Sequence, residues 1–171
     1  NYFVTTTQGR YVLTLFERLP AAELPFYLEL MVHLARHGIP CPAPIADHQD
    51  RYLSTLNGKP AALVTRLEGS EVEHPSAAHC AELGGLLARM HLAARSYGGY
   101  LENPRGPKWW RRAAAEVRPF LDAGRAALLE AELAFQARQR AAELPRGAVH
   151  ADLFRDNAFF RDGRVSGVID F

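Results

Sequence analysis

The chain has 171 residues, of which 48% are apolar and 23% charged; that is enough to bury a core and too apolar for wholesale disorder. Twenty Lys and Arg against nineteen Asp and Glu leave a formal charge of +1, so no global field draws it to nucleic acid or to an anionic membrane. The longest uninterrupted apolar runs, Ala61–Val64 and Ala126–Leu129, are far shorter than the roughly 20 residues of a membrane span.

The first third reads as strands around one helix. Tyr2–Thr7 and Arg10–Glu17 are β-branched and aromatic-rich, and Gln8-Gly9 joins them as a hairpin. Pro25 and Gly38 bracket a helical pattern of Phe26, Leu30, Met31 and Leu34, since early Pro and late Gly punctuate helices. After the proline-rich stretch from Pro40 to Pro44, Arg51–Leu56 and Ala61–Leu67 flank Asn57-Gly58, a strong hairpin signal.

From Ser76, an N-cap, the texture turns helical. Cys80, Leu83, Leu87, Met90 and Ala94 form one apolar stripe at spacings of three and four. A polar linker at Ser96–Lys108 leads to helical patterns at Trp109–Asp122 and Ala126–Glu143, with Pro119 ending or kinking a turn. The chain then turns β again at Gly147–His150, Ala158–Phe160 and Val165–Ile169, the last two around Asp162-Gly163. This predicts an α+β chain of three parts. Residues 1–67 form a small antiparallel-sheet lobe with one helix, 68–75 a hinge connector, and 76–171 a mainly helical lobe carrying a hairpin. Cys41 and Cys80, without a CxxC, read as two buried thiols in a reducing cytoplasm. The start without Met and the stop at Phe171 suggest a chain trimmed at both ends.

The densest polar cluster runs from His150 through Asp152 and Arg155 to Asn157, and Asp170 follows at the end of the last strand. A loop and hairpin can bring Asp152, Asn157 and Asp170 to one mouth. Two carboxylates and a neutral amide suit hard Mg²⁺ that keeps waters and phosphate oxygens as its other ligands. The pattern matches a kinase catalytic loop: a His, an Asp two on, an Asn five further on, then an Asp followed by Phe. In that reading Asp152 takes the substrate hydroxyl's proton, Asn157 and Asp170 hold Mg²⁺ on ATP, and His150 braces the loop. Arg155 is a candidate for an anion contact, to phosphate or to an amino-acid carboxylate. The competing readings are a polar turn with solvated carboxylates and, more weakly, a zinc site.

Ala151, where many protein kinases carry Arg, favours a small-molecule kinase. The chain resembles the aminoglycoside phosphotransferase and choline kinase superfamily, with its protein-kinase-like two-lobe fold; Leu83-Gly84 to Met90-His91 is similar to a helix of that superfamily. Within it, the resemblance is to the bacterial homoserine kinases, carried by Tyr2–Thr6, Tyr11–Glu17, Leu56–Ala61, Asn103–Gly106 and His150–Asn157. The resemblance implies ATP-dependent phosphorylation of the L-homoserine side-chain hydroxyl on the route to threonine. It also implies that the backbone of Thr65, Arg66 and Leu67 receives adenine. Where a kinase strand usually carries a phosphate-touching Lys, this chain has Thr14, and a Gly-rich loop would precede Asn1. Glu29 stands where the helix Glu is expected. Another hydroxyl acceptor (choline, an aminoglycoside or a sugar) and a non-catalytic pseudokinase remain open, as does the oligomeric state. The basic stretch Arg105–Arg125 reads first as a solvated helical face and second as an anion contact, and Trp109-Trp110 as packing before pocket.

Overall fold

A computed structural model describes residues 1–139 and 144–171. These fall into two compact units: Asn1–Gly99 with Gly147–Phe171, and Tyr100–Arg146.

In the first unit, β1 (Tyr2–Thr6) and β2 (Gly9–Leu15) form the expected opening hairpin, and β3 (Ser54–Leu56) and β4 (Lys59–Thr65) the second. β4 then inserts beside β2, Thr14 opposite Ala62, giving an antiparallel sheet in the order β1-β2-β4-β3. The turn at Asn57-Gly58 works because both residues sit at positive φ, 50° and 76°, as a two-residue hairpin of this hand requires. Helix α1 (Leu24–Arg36) starts one residue before Pro25 and closes at Gly38, whose φ of 74° suits glycine. Ser76 caps α2 (Ala77–Ala94), its hydroxyl accepting from the His79 amide while the His79 ring accepts from the Ser76 amide.

The core joins α1, α2 and the last strand. Leu30, Leu34, Ile39, Cys41, Leu86, Met90, Ala94 and Val168 are buried together. Val168 belongs to β6 (Arg164–Val168), which pairs with β5 (Ala158–Arg161), so the hairpin beside the polar cluster is anchored by the deepest contacts of the unit. Cys41 is buried and burial pushes its thiol up to about 12. Cys80 is exposed, against the expectation of two buried thiols. The buried stripe of α2 runs through Leu86, Met90 and Ala94, which turns Cys80 toward solvent. His91 is likewise exposed, and no strand forms at Gly147–His150, where the neighbouring element is the end of α2 and offers no ladder.

The second unit contains α3 (Pro107–Val117), a 3₁₀ turn at Arg118–Phe120 where Pro119 falls, and α4 (Ala123–Arg138), capped by the Asp122 carboxylate. The expected helix reached Glu143; residues 140–143 lie outside the described residues. The basic stretch is met largely by its own neighbourhood, through Lys108–Glu102, Arg112–Glu116, Arg118–Glu130 and Arg125–Asp122 pairs. Trp109 and Trp110 are half-buried, and the Arg105 guanidinium lies 4.9 Å from the Trp109 ring centre.

Candidate active site

Residues 150–157 form a loop that enters the β5–β6 hairpin through a 3₁₀ turn at Arg155–Asn157. Its polar side chains are placed largely by backbone bonds. The Asp152 carbonyl receives the Phe154 amide at 2.9 Å, and the Phe154 carbonyl receives the Asn157 amide at 3.1 Å. The Asn157 side-chain Nδ2 donates to the Asp152 carbonyl at 2.8 Å. With its N–H used this way, the Asn157 amide turns its Oδ1 to the other side, where it accepts no hydrogen bond among the described residues.

The hairpin brings the second acidic residue alongside. Ala158 pairs with Val168, and one step further the Ile169 amide donates to the Asn157 carbonyl at 3.0 Å. Asp170 is therefore the neighbour of a residue bonded to Asn157. Asp170 and Ala151 both sit in the left-handed region, at φ 69° and 65°. That conformation is costly for residues other than glycine and persists where the surroundings hold it. Here it re-aims the chain immediately beside Asp152 and again at Asp170, and both carboxylates are exposed.

His150 bonds to the backbone next to Asp170 and Ala151, at Ile169 and at Asp152. Its ring nitrogen Nε2 lies 2.8 Å from the Ile169 carbonyl, which only accepts, so Nε2 carries the proton. Nδ1 then accepts from the Asp152 amide at 3.4 Å, and the Phe171 ring meets the imidazole edge-on at 5.0 Å between centres. Both ring nitrogens thus face backbone atoms.

A Mg²⁺ ion fits this donor set. Asn157 Oδ1 and the Asp170 carboxylate are hard oxygen donors, and among the described residues no group of three or more His, Cys, Asp and Glu could hold a metal alone. Such a pair suits a cation that takes its remaining ligands from water and phosphate.

The remaining sequence candidates lie in two places. Thr14 is half-buried on β2, paired with Ala62. At the end of β4 the Thr65 hydroxyl and amide are engaged with Ala43, at 2.8 and 2.9 Å, and the Arg66 amide donates to the Arg10 carbonyl at 3.1 Å. The Arg66 guanidinium stacks over Phe3, 4.3 Å from the ring centre. Among the described residues the amide and carbonyl of Leu67 have no protein partner, so Leu67 alone of these three offers both backbone groups to a ligand. Arg155 donates from Nη1 to the Glu73 carbonyl at 2.9 Å, which turns part of its guanidinium toward the connector; its other N–H groups remain. Glu29 is exposed on α1.

Sequence reasoning named residues 68–75 as a connector but missed their pairing with the hairpin. Ser70 and Phe160 exchange both backbone bonds, at 3.1 and 2.8 Å, so the connector lies against β5. Gly69 makes that approach possible: a Cβ there would stand 2.4 Å from Ser166 Oγ and 2.6 Å from the Phe160 carbonyl oxygen. The glycine in the connector was the available signal, but its partner lies some ninety residues away.

An antiparallel sheet with one helix, and a His-x-Asp loop leading through Asn into a hairpin that ends in Asp-Phe, define a kinase-like α+β chain. The model of the phosphotransferase enzyme family matches residues 1–171, and the chain belongs to that family. Curated relatives include the homoserine kinase of Methylobacillus flagellatus, 52% identical over 171 residues, covering 100% of this chain and 54% of the relative. The homoserine kinase of Burkholderia thailandensis is 49% identical over 183 residues, covering 100% and 55%. The chain thus spans about half the length of the curated relatives it matches. Among solved structures, amicoumacin kinase in complex with AMP-PNP, Ca²⁺ and Ami superposes with a TM-score of 0.71 at 19% identity, over 99% of this chain and 54% of that one. An aminoglycoside phosphotransferase from Alicyclobacillus acidocaldarius gives 0.66 at 17% identity, over 98% and 58%. At these identities the likeness is one of fold, and it supports the protein-kinase-like α+β class expected from the sequence.

Proposed function

We propose that the protein is an ATP-dependent kinase of a small-molecule hydroxyl, with L-homoserine as the acceptor. The observation that carries the reading is the bond from Asn157 Nδ2 to the Asp152 carbonyl. It holds the proton-accepting carboxylate and a metal-facing oxygen on one short loop, with Asp170 beside them. The choice of acceptor rests on the homoserine kinases, near 50% identical to this chain over its whole length.

In the proposed reaction the acceptor's hydroxyl oxygen attacks the γ-phosphorus of ATP, the bond to the β-phosphate oxygen breaks, and ADP leaves. Asp152 orients the hydroxyl and takes its proton, which becomes more acidic as the O–P bond forms. His150 keeps Asp152 in place through the Ile169 carbonyl and the Asp152 amide. Asn157 and Asp170 would hold Mg²⁺, which supplies positive charge to the phosphate oxygens when bound. The Leu67 backbone would receive adenine beside Thr65 and Arg66, with Thr14 on the neighbouring strand. Arg155 keeps donors free for an anionic group of the acceptor. Residues 1–67 would act as the nucleotide lobe, 68–75 as the connector and 76–171 as the catalytic lobe, in a reducing cytoplasm.

The test is acceptor-dependent ADP release by the full-length protein with Mg²⁺-ATP, comparing L-homoserine, choline, an aminoglycoside and no acceptor. The reading predicts ADP with homoserine above the other three. ADP with another acceptor would keep the site and discard the acceptor; none with any, together with no ATP binding in calorimetry, would discard the kinase.

A further inference from the structure

Glu68 opens the connector, and its carboxylate lies between arginines from two different parts of the unit. Oε1 accepts from Arg10 Nη2 of β2 at 3.3 Å, and Oε2 accepts from Arg161 Nη1 of β5. The residues around it are bound to the hairpin. Ser166 Oγ donates to the Glu68 carbonyl at 2.7 Å, Ser70 pairs with Phe160, and Arg155 holds the Glu73 carbonyl. Gly69, at φ 102° and with no room for a Cβ, seals this contact. The connector is therefore held against the hairpin at one isolated bridge, Ser70 opposite Phe160.

Toward the sheet, the chain at this point is joined by the Arg66 amide on the Arg10 carbonyl and by the Arg10–Glu68 pair. A cavity of about 400 Å³ opens here, lined by Arg10, Arg66, Leu67, Glu68, Gly69 and Arg161. The Arg10 and Arg161 guanidinium groups share the Glu68 carboxylate there, while the Arg66 guanidinium stacks over Phe3 and Arg161 Nε also lies 3.8 Å from Asp162 Oδ2. Removing the Glu68 charge leaves Arg10 of the sheet and Arg161 of the hairpin without the carboxylate they share, and their mutual repulsion favours a wider separation of sheet and hairpin.

We propose that Glu68 is a positioning residue: its carboxylate, shared by Arg10 of the sheet and Arg161 of the hairpin, sets the separation between the backbone edge at Leu67 and the loop at Asn157–Asp170. The proposal rests on the kinase reading, in which ATP must touch both places at once. A nucleotide spanning two elements binds best when their separation is already correct, so the expected effect falls on ATP binding and leaves the transfer step alone.

The experiment compares full-length wild type with Glu68→Gln and Arg161→Gln, and with Arg51→Gln as a control that breaks an exposed pair with Asp47 elsewhere in the unit. Steady-state KM for ATP, kcat and calorimetric ATP affinity are measured at low and high salt. Glu68→Gln is expected to raise the KM for ATP about fivefold, the size of two exposed pairs lost together, with kcat within about twofold of wild type. Arg161→Gln is expected to move KM the same way by less, since it also removes one of the repelling charges. The excess of the Glu68→Gln KM over wild type is expected to shrink as salt screens the remaining arginines. An unchanged ATP KM in Glu68→Gln, or a loss confined to kcat, would overturn the assignment while leaving the kinase reading intact. Failure of wild type to bind ATP at all would overturn both.

Discussion

The hairpin that carries Asp170 and the helix pair α3–α4 are held in different ways. The hairpin is short, yet it contributes Val168 to the deepest core. It is bonded to the loop at residues 150–157, to Pro40 and to the connector. In α3 and α4 only Ala114 is buried, while Val117, Leu128 and Phe135 stay exposed and the charged residues pair locally along the surface. The contrast teaches where precision sits in this chain. The loop and hairpin proposed to carry the chemistry, which needs atoms held to within fractions of an ångström, rest on backbone bonds and positive φ values backed by a core. In the helix pair the Asp122 cap of α4 and exposed ion pairs are the polar contacts, and exposed ion pairs are individually weak.

The comparison can be broken in several places. The largest effect is expected from Asp152→Asn, which removes the proton acceptor without disturbing the backbone bonds around it. Turnover in the ADP assay is expected to fall about 10²- to 10⁴-fold at an unchanged melting temperature. Next, Leu86→Ala should cost about 2–5 kcal/mol in urea unfolding, because Leu86 is fully buried between the elements that support the hairpin. Leu128→Ala on α4 should cost less than about 0.5 kcal/mol. Gly69→Ala is expected to destabilise by about 1–3 kcal/mol, from the positive φ and the contact with Phe160. Gly124→Ala in the first turn of α4, where a Cβ meets nothing closer than 3.4 Å, is expected to stabilise by about 0.5–1 kcal/mol.

The smallest effect concerns pH. The Asp47 carboxyl is held down to about 2 by the Arg51 amide and guanidinium and by the Gln49 amide. A carboxyl depressed in the folded state contributes stability above its ordinary pKa and loses it as pH falls toward the folded value. The pH dependence of the melting temperature between about pH 4 and 2 should therefore flatten in Asp47→Asn. An acid limb of unchanged slope would place that dependence on other carboxylates.

What was legible in the chain depended on how local its cause was. Asn57-Gly58 and Asp162-Gly163 announce their hairpins because both turns place two residues at positive φ, which Asn, Asp and Gly tolerate. The His-x-Asp loop was legible because its chemistry lies within eight residues. Ala151 reaches positive φ with nothing in its side chain to advertise it, and Asp170 does so without a glycine beside it to mark a turn; both flank the bonds that join Ile169 to His150 and Asn157. The pairing of Ser70 with Phe160 was invisible for the same reason, since its cause is the fit of Gly69 against a strand far along the chain. Cys80 shared its helix's period with the buried stripe yet ended outside it, because the core sits around Leu86, Met90 and Ala94.

The central claim is transfer of a phosphoryl group to a hydroxyl by the loop at Asp152. The most direct measurement is phosphorus NMR of the full-length protein with Mg²⁺-ATP and L-homoserine. The account predicts a new phosphomonoester signal that grows in step with ADP and is lost in Asp152→Asn. ADP accompanied only by free phosphate, or a phosphomonoester formed equally well by Asp152→Asn, would contradict it.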